Sequence, residues 1–226
     1  MATRDEPTNA TRDPAGKPPR TDKKPRTDKH PRTRLDPDAR RAAILEAAME
    51  LFAERPYTEV PIAAIARQAG ASDALVYRYF AGKDELYAEV VRRAIGRLGQ
   101  RQAEVLEALP AGVPTRDRVR SATLVYLDYV AEHPASWATP FTAPGAEPGA
   151  AAAERAQARA DYVERLRDLL RPTGGARHEY SLWGYFGFLD AACFAWVQAG
   201  SPDHDRHPIV EAALGALEGA LGDWGA

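Results

Sequence analysis

Large apolar residues are missing from the first 36 positions, apart from Met1 and Leu35, and then return in a regular rhythm. In "DPDARRAAILEAAMELFAERP", Ile44, Leu45, Ala48, Leu51 and Phe52 recur at the spacing of one helical face. Asp36 or Asp38 is placed to cap this helix, Pro37 is tolerated in its first turn, and Pro56 ends it. The pattern next predicts a short helix over 62–68, a turn at Gly70, a second short helix from Ser72, and a long helix from near Gly82 to Pro110. Beyond "PAGVPT", helical text covers about 115–133, 135–142, 150–171, 177–199 and 207–222, with "TAPGAEPGAAA" separating the second and third of these. No stretch sustains the two-residue alternation of a strand. The chain is expected to be all-α.

Residues 1–36 are mostly Pro, Thr, Lys, Arg and Asp, too polar to offset their ordering entropy by burial, and they read as a disordered arm. Charge sharpens this division. The arm carries ten Lys and Arg against six Asp and Glu, a net of +4, whereas the remaining residues sum to -6. Within it, Pro-Arg-Thr recurs at Pro19, Pro25 and Pro31. A basic arm on an acidic body makes attraction to a polyanion local. Cys193 is the single cysteine, so no intrachain disulfide forms, and it reads as a small buried apolar residue. No secretory segment is visible. The longest apolar run, Leu182–Val197, is shorter than the roughly 20 residues that span a bilayer and is interrupted by Asp190. These features predict a soluble, cytoplasmic chain with no membrane partner.

The most informative text is "IAAIARQAGASDALVYRYFAGKDELY", Ile62–Tyr87. A helix-turn-helix needs a small residue where its helices cross, a residue that accepts positive φ at the turn, and an apolar lock between the helices. Ala66, Gly70, and the set Ile65, Ala69, Ala71 and Val76 fit those roles, with Ser72 as N-cap of the second helix. At about 100° per residue, Val76 and Phe80 share one face of that helix, and Ala74 and Arg78 fall opposite, flanked by Leu75 and Tyr77. Such a face suits a major groove. Arg78 suits a phosphate or guanine, Ala74 or Leu75 a thymine methyl, and Tyr77 and Lys83 phosphates.

The string "IARQAGASDALVYRYFAGKDELY" resembles the N-terminal domain of the TetR family of transcriptional regulators, in which Tyr-x-x-Phe closes the recognition helix and Lys opens the next. The resemblance is specific over about residues 40–87 and architectural beyond, where "EHPASW" and the last two helices resemble the family's ligand domain. It implies a basic arm (1–36), a three-helix helix-turn-helix DNA-binding domain (37–87) and a helical effector-binding and dimerisation domain (88–226). It also implies a homodimeric, ligand-responsive repressor on a pseudo-palindromic double-stranded operator, working on the nucleoid with no cofactor and no enzymatic activity. By position, the family's DNA contacts fall on Ser72, Asp73, Ala74, Tyr77, Tyr79 and Lys83. Two departures stand out. Pro61 replaces a Thr that often donates to phosphate, and Asp73 either caps the helix beside Ser72 or accepts from a cytosine amino group. Residues 37–87 hold six basic and eight acidic residues. Arm cations such as Arg26, Arg32 and Arg34 could make up the deficit, or the arm is a leader without contact to DNA.

Toward the C-terminus, candidates for an effector cavity are Tyr126, Tyr129, His133, Trp137, Phe141, Tyr162, Trp183, Phe186, Asp190 and Trp196, an aromatic set suited to a small hydrophobic or aromatic molecule. Asp190, within an apolar stretch, needs a partner if buried. Ala212, Leu214, Gly215, Leu217, Ala220 and Leu221 give the last helix small and apolar faces for homodimer packing. "DHDRH" spaces His204 and His207 three apart, but it reads as a solvated loop, and no metal is expected. No nucleophile–base pairing or phosphate loop is present. The alternative to an effector-released repressor is a DNA-bound scaffold whose C-terminal half is filled by its own side chains.

Overall fold

The computed structural model describes residues 36–143, 145–171 and 174–222, and the expected disordered arm lies outside them. The described residues form nine α-helices and no strand: α1 (Pro37–Glu54), α2 (Ile62–Gln68), α3 (Asp73–Tyr79), α4 (Lys83–Glu107), α5 (Thr115–Glu132), α6 (Pro134–Thr142), α7 (Gly149–Leu170), α8 (Ala176–Gln198) and α9 (Arg206–Leu221). Single 3-10 turns precede α2 and α9. The helix boundaries follow the chain's punctuation. Pro37 occupies the first turn of α1, but Asp36, at the N-cap position, makes no side-chain hydrogen bond, and neither aspartate caps the helix as expected.

Two cores share this framework. The N-terminal one gathers Ile44, Leu45, Ala48 and Phe52 of α1, Ile65 and Ala66 of α2, Val76 of α3 and the following Phe80. It continues through Leu86, Tyr87, Val90 and Val91 of α4, so an expected domain boundary at 87–88 falls within that helix. Ala151 from the start of α7 also inserts here, fully buried. Each large side chain buried in this way contributes about 1.5–3 kcal/mol. The second core gathers Leu127 and Val130 of α5, Trp137 of α6, Val163 and Leu166 of α7, Leu182 and Cys193 of α8, and Leu214 and Leu217 of α9.

The α2–α3 junction follows from local chemistry. Gly70 takes φ +61, after which the Ala71 amide donates to the Ala66 carbonyl at 2.8 Å. Ser72 Oγ accepts from the Leu75 amide at 3.3 Å and caps α3. No atom lies within 4 Å of a Cβ added at Gly70, so substitution there incurs backbone strain alone. Gly70→Ala is expected to destabilise the protein by about 1–2 kcal/mol in urea unfolding, with Gly70→Asn losing less because Asn tolerates the left-handed region.

Cys193 is fully buried, and burial, then the charge of Asp190, pushes its thiol up to about 12. The thiolate is therefore suppressed at neutral pH in the folded state. At about pH 8 a disulfide reagent is expected to leave folded protein unmodified and to titrate one thiol after unfolding in concentrated guanidinium.

Candidate functional site

On α3 the apolar half-turn is turned inward, Val76 being 1% exposed, and the opposite face is free. Ser72, Asp73, Ala74, Tyr77 and Arg78 are exposed, Tyr77 to 55%, while Leu75 is half-buried. Arg78 pairs with no carboxylate among the described residues. Asp73 stands in the first turn of α3, where its charge favours the helix dipole, but the side-chain capping bond comes from Ser72. Tyr79 is half-buried against the N-terminal core, which leaves less of it on the surface than Tyr77. The Lys83 ammonium rests 4.1 Å from the centre of the Tyr57 ring, and Tyr57 donates its hydroxyl hydrogen to Asp84. Burial lowers the Lys83 pKa, with Asp84 acting in the opposite sense. This surface is a short cationic and phenolic ridge beside the start of a long helix. Arg26, Arg32 and Arg34 lie outside the described residues.

A second feature is a cavity of about 340 Å³ lined from α4 to α8, within the size range of small-molecule sites. It brings together seven of the residues picked from the sequence: Tyr126, Tyr129, Trp137, Phe141, Tyr162, Phe186 and Asp190. The other three sit elsewhere. His133 belongs to the α5–α6 junction, its ring against Tyr129 at 5.1 Å. Trp183 points from the outward face of α8, 41% exposed, with its indole nitrogen donating to Glu179 at 3.0 Å. Trp196 is buried in the C-terminal core and donates to the Pro202 carbonyl at 2.9 Å. Aromatic residues occur on both faces of α8, so composition could not assign Trp183 to a side.

Asp190 has the partner its burial requires. Its carboxylate meets the Arg159 guanidinium at 2.5 Å and accepts from the Tyr126 hydroxyl at 3.2 Å. Tyr126 in turn accepts from the Trp137 indole at 2.8 Å, and burial, followed by the charge of Asp190, pushes its phenol well above the ordinary value. The polar lining that the sequence reading missed is Gln102, Thr123, Tyr185, Glu147, Arg155, Arg159 and Arg165. Gln102 donates to the Ala122 carbonyl at 2.9 Å and to Tyr162, and Thr123 pairs with Tyr185 at 2.7 Å. Helical spacing offered a signal for Gln102, which follows Ile95, Leu98 and Gly99 on one face of α4.

One charged pair joins the two cores. Arg155 donates from Nε to Glu147 at 3.1 Å, and the Tyr87 hydroxyl approaches the same oxygen at 3.5 Å. The Tyr87 ring packs on Phe52 and Tyr57, each at 4.9 Å. A path of contacts thus runs from the cavity wall through Glu147 and Tyr87 to Tyr57 and Lys83. Burial opposes the Arg155 charge, but Glu147 and Tyr87 outweigh it and hold that pKa above the ordinary value.

On the outward side of α8, Tyr180, Trp183, Gly184, Gly187, Phe188, Ala191 and Ala195 form an exposed, uncharged stripe. Ala212, Gly215, Ala216 and Gly219 are exposed on α9. Leu214, Leu217 and Leu221 instead fill the chain's own core and are not free for a partner.

Residues 44–90 match the family model described as "Bacterial regulatory proteins, tetR family". The chain is 35% identical over 96 residues to the HTH-type transcriptional activator FasR of Mycolicibacterium smegmatis, the match covering 42% of each protein. It is 39% identical over 61 residues to the HTH-type transcriptional regulator BetI of Brucella anthropi, across 27% of this chain and 31% of that one. The chain thus spans less than half the length of the relatives it matches. Among solved structures, a tetR-family transcriptional regulator from Streptomyces coelicolor superposes with a TM-score of 0.67 at 25% identity, over 81% of this chain and 79% of that one. The fold is also similar to that of FadR from Bacillus subtilis in complex with stearoyl-CoA, with a TM-score of 0.59 at 17% identity, over 80% of this chain and 97% of that one.

Proposed function

Since the chain belongs to the TetR family of bacterial regulatory proteins, we propose that it is a homodimeric repressor released from a pseudo-palindromic operator by a small hydrophobic or aromatic effector. The observation that carries this reading is the exposed face of α3, whose Val76 packs into the same core as the first turns of α4, the helix that further along lines an aromatic cavity. Residues 37–87 act as the DNA-binding part, with Arg78, Tyr77 and Ala74 entering the major groove and Ser72 and Lys83 meeting the backbone. Residues 88–226 hold the effector and the partner copy. The uncharged stripe of α8, with the small residues of α9, supplies a face on which two copies can approach closely. Such a dimer presents two recognition helices to half-sites about 34–36 Å apart.

An effector changes the equilibrium only if it binds the two conformations differently. The cavity supports such a change because α4 and the Glu147–Arg155 pair both belong to its wall and both touch the N-terminal core. A contiguous cavity also favours this reading over a scaffold with a filled C-terminal half. DNA binding in this family relies on phosphate neutralisation, yet residues 37–87 are net -2, and the +4 of residues 1–36 is the nearest remedy in the chain.

Footprinting on DNA flanking the protein's own coding sequence is expected to reveal a specific two-fold site. The absence of any such site at low salt with dimeric protein would refute the repressor reading. Arg78→Ala is expected to weaken that site by about 1–3 kcal/mol, roughly 5- to 150-fold in Kd, and to relax preference at one base position.

Deleting residues 1–34 is expected to shallow the plot of log affinity against log salt by about 0.9 for each phosphate the arm neutralises, with operator preference kept. An unchanged slope would show the arm to be a leader without a DNA contact.

A further inference from the structure

The cavity's lining carries a chemical bias that its aromatic character hides. Along α7, Arg155, Arg159, Tyr162 and Arg165 follow one another at spacings of four and three, so that a single face of the helix carries them into the cavity lining. Three arginines and two carboxylates, Glu147 and Asp190, therefore share this wall.

The balance of hydrogen-bonding groups is more telling than the net charge. Both carboxylates are already served, Glu147 by Arg155 and Tyr87, and Asp190 by Arg159 and Tyr126. No lining group appears among the buried side-chain atoms without a partner in the described residues. The arginines are not used up in this way. A guanidinium has five N–H donors. Arg155 directs Nε at Glu147, Arg159 directs Nη2 at Asp190, and Arg165 meets no carboxylate among the described residues, its guanidinium lying 4.9 Å from the centre of the Tyr162 ring. The wall thus sets three guanidiniums with unused donors against two carboxylates that each already face a guanidinium. A neutral apolar molecule would fill the aromatic part and leave those donors to water, whereas an anionic head group would complete them.

Resting on the reading of this cavity as the effector site, the geometry points to an organic anion as its ligand: an aromatic or apolar body among Tyr126, Trp137 and Phe186, with a carboxylate-like head held by Arg155 and Arg159. These two arginines lie one turn apart on α7, a spacing that lets one head group accept from both. The head then sits beside Glu147, on the contact path that leads through Tyr87 and Tyr57 to Lys83.

A matched set of probes tests this. Naphthalene-2-carboxylate and 2-naphthalenemethanol have nearly the same body and differ in charge, and their binding to the full chain can be followed by calorimetry. The carboxylate is expected to bind about tenfold or more tightly than the alcohol near neutral pH. Arg155→Gln alone would strand the Glu147 carboxylate, so the neutral double variant Glu147→Gln/Arg155→Gln is the informative one. It is expected to bring the two affinities within about threefold while the alcohol still binds, which shows that the cavity has survived. Arg165→Gln, removing the same charge at the far end of the stripe, is expected to change the preference little.

Equal affinity for the two probes, a preference that survives the double variant, or an equally large loss on Arg165→Gln would overturn the assignment. So would tighter binding of 2-naphthylmethylammonium, which would make Glu147 and Asp190 the recognising groups. If neither probe binds, the anion site is refuted. The operator footprint, measured separately on the same protein, reports whether the DNA-binding reading stands.

Discussion

Helix α4 is one continuous rod that runs from the N-terminal hydrophobic core to the cavity wall, and the link between those two regions depends on that continuity. Its first turns bury Leu86, Tyr87, Val90 and Val91 against α1, while further along Leu98, Gly99 and Gln102 face the cavity. An α-helix is stiff over its length because each turn is hydrogen-bonded to the next. The cavity wall and the N-terminal core are therefore linked through backbone as well as through side chains. The start of α7 provides a second point of contact by inserting Ala151 into that same core.

Where the cores meet, polar chemistry replaces further apolar packing. Glu147 has a side chain only 7% exposed, and its charge is tolerated there because Arg155 lies beside it. Burying a charge without a partner is costly, so separating this pair is unfavourable unless a replacement partner arrives. The surrounding ion pairs, among them Arg92 with Glu154 and Arg101 with Glu132, are more exposed and contribute little individually. They fix the seating of helices more than they stabilise the fold.

Electrostatics also differs between the two regions. The α3 face is short of positive charge, while the cavity wall on α7 is relatively rich in it. In the proposed reading, phosphate attraction and effector recognition draw on different cations.

How much of this was legible in the sequence follows the range of the interactions involved. Helix positions and the turn at Gly70 were readable because they depend on neighbours three or four residues away: an apolar period, a proline, or a glycine that accepts positive φ. The family string was readable for the same reason, since Ser72, Val76 and Phe80 act within one turn-helix unit. The cavity was legible only in part. Tyr126 and Trp137 could be nominated as aromatics, but Trp183 faces outward and Tyr185 inward on the same helix, and only packing against α9 and α5 separates them. The leucines of α9 show the same limit, because Leu214 and Leu217 turned out to fill their own chain's core. Arg155 and Glu147 drew no notice in the sequence, being ordinary charges near a loop, and their contact with Tyr87, 60 residues away from Glu147, exists only once α4 and α7 are packed together. The sequence by itself determined the helices, the turn and the exposed ridge, through short-range backbone and periodicity rules. Tertiary packing alone decided which side chains share the cavity and how it touches the N-terminal core, because those contacts join residues that no local rule connects.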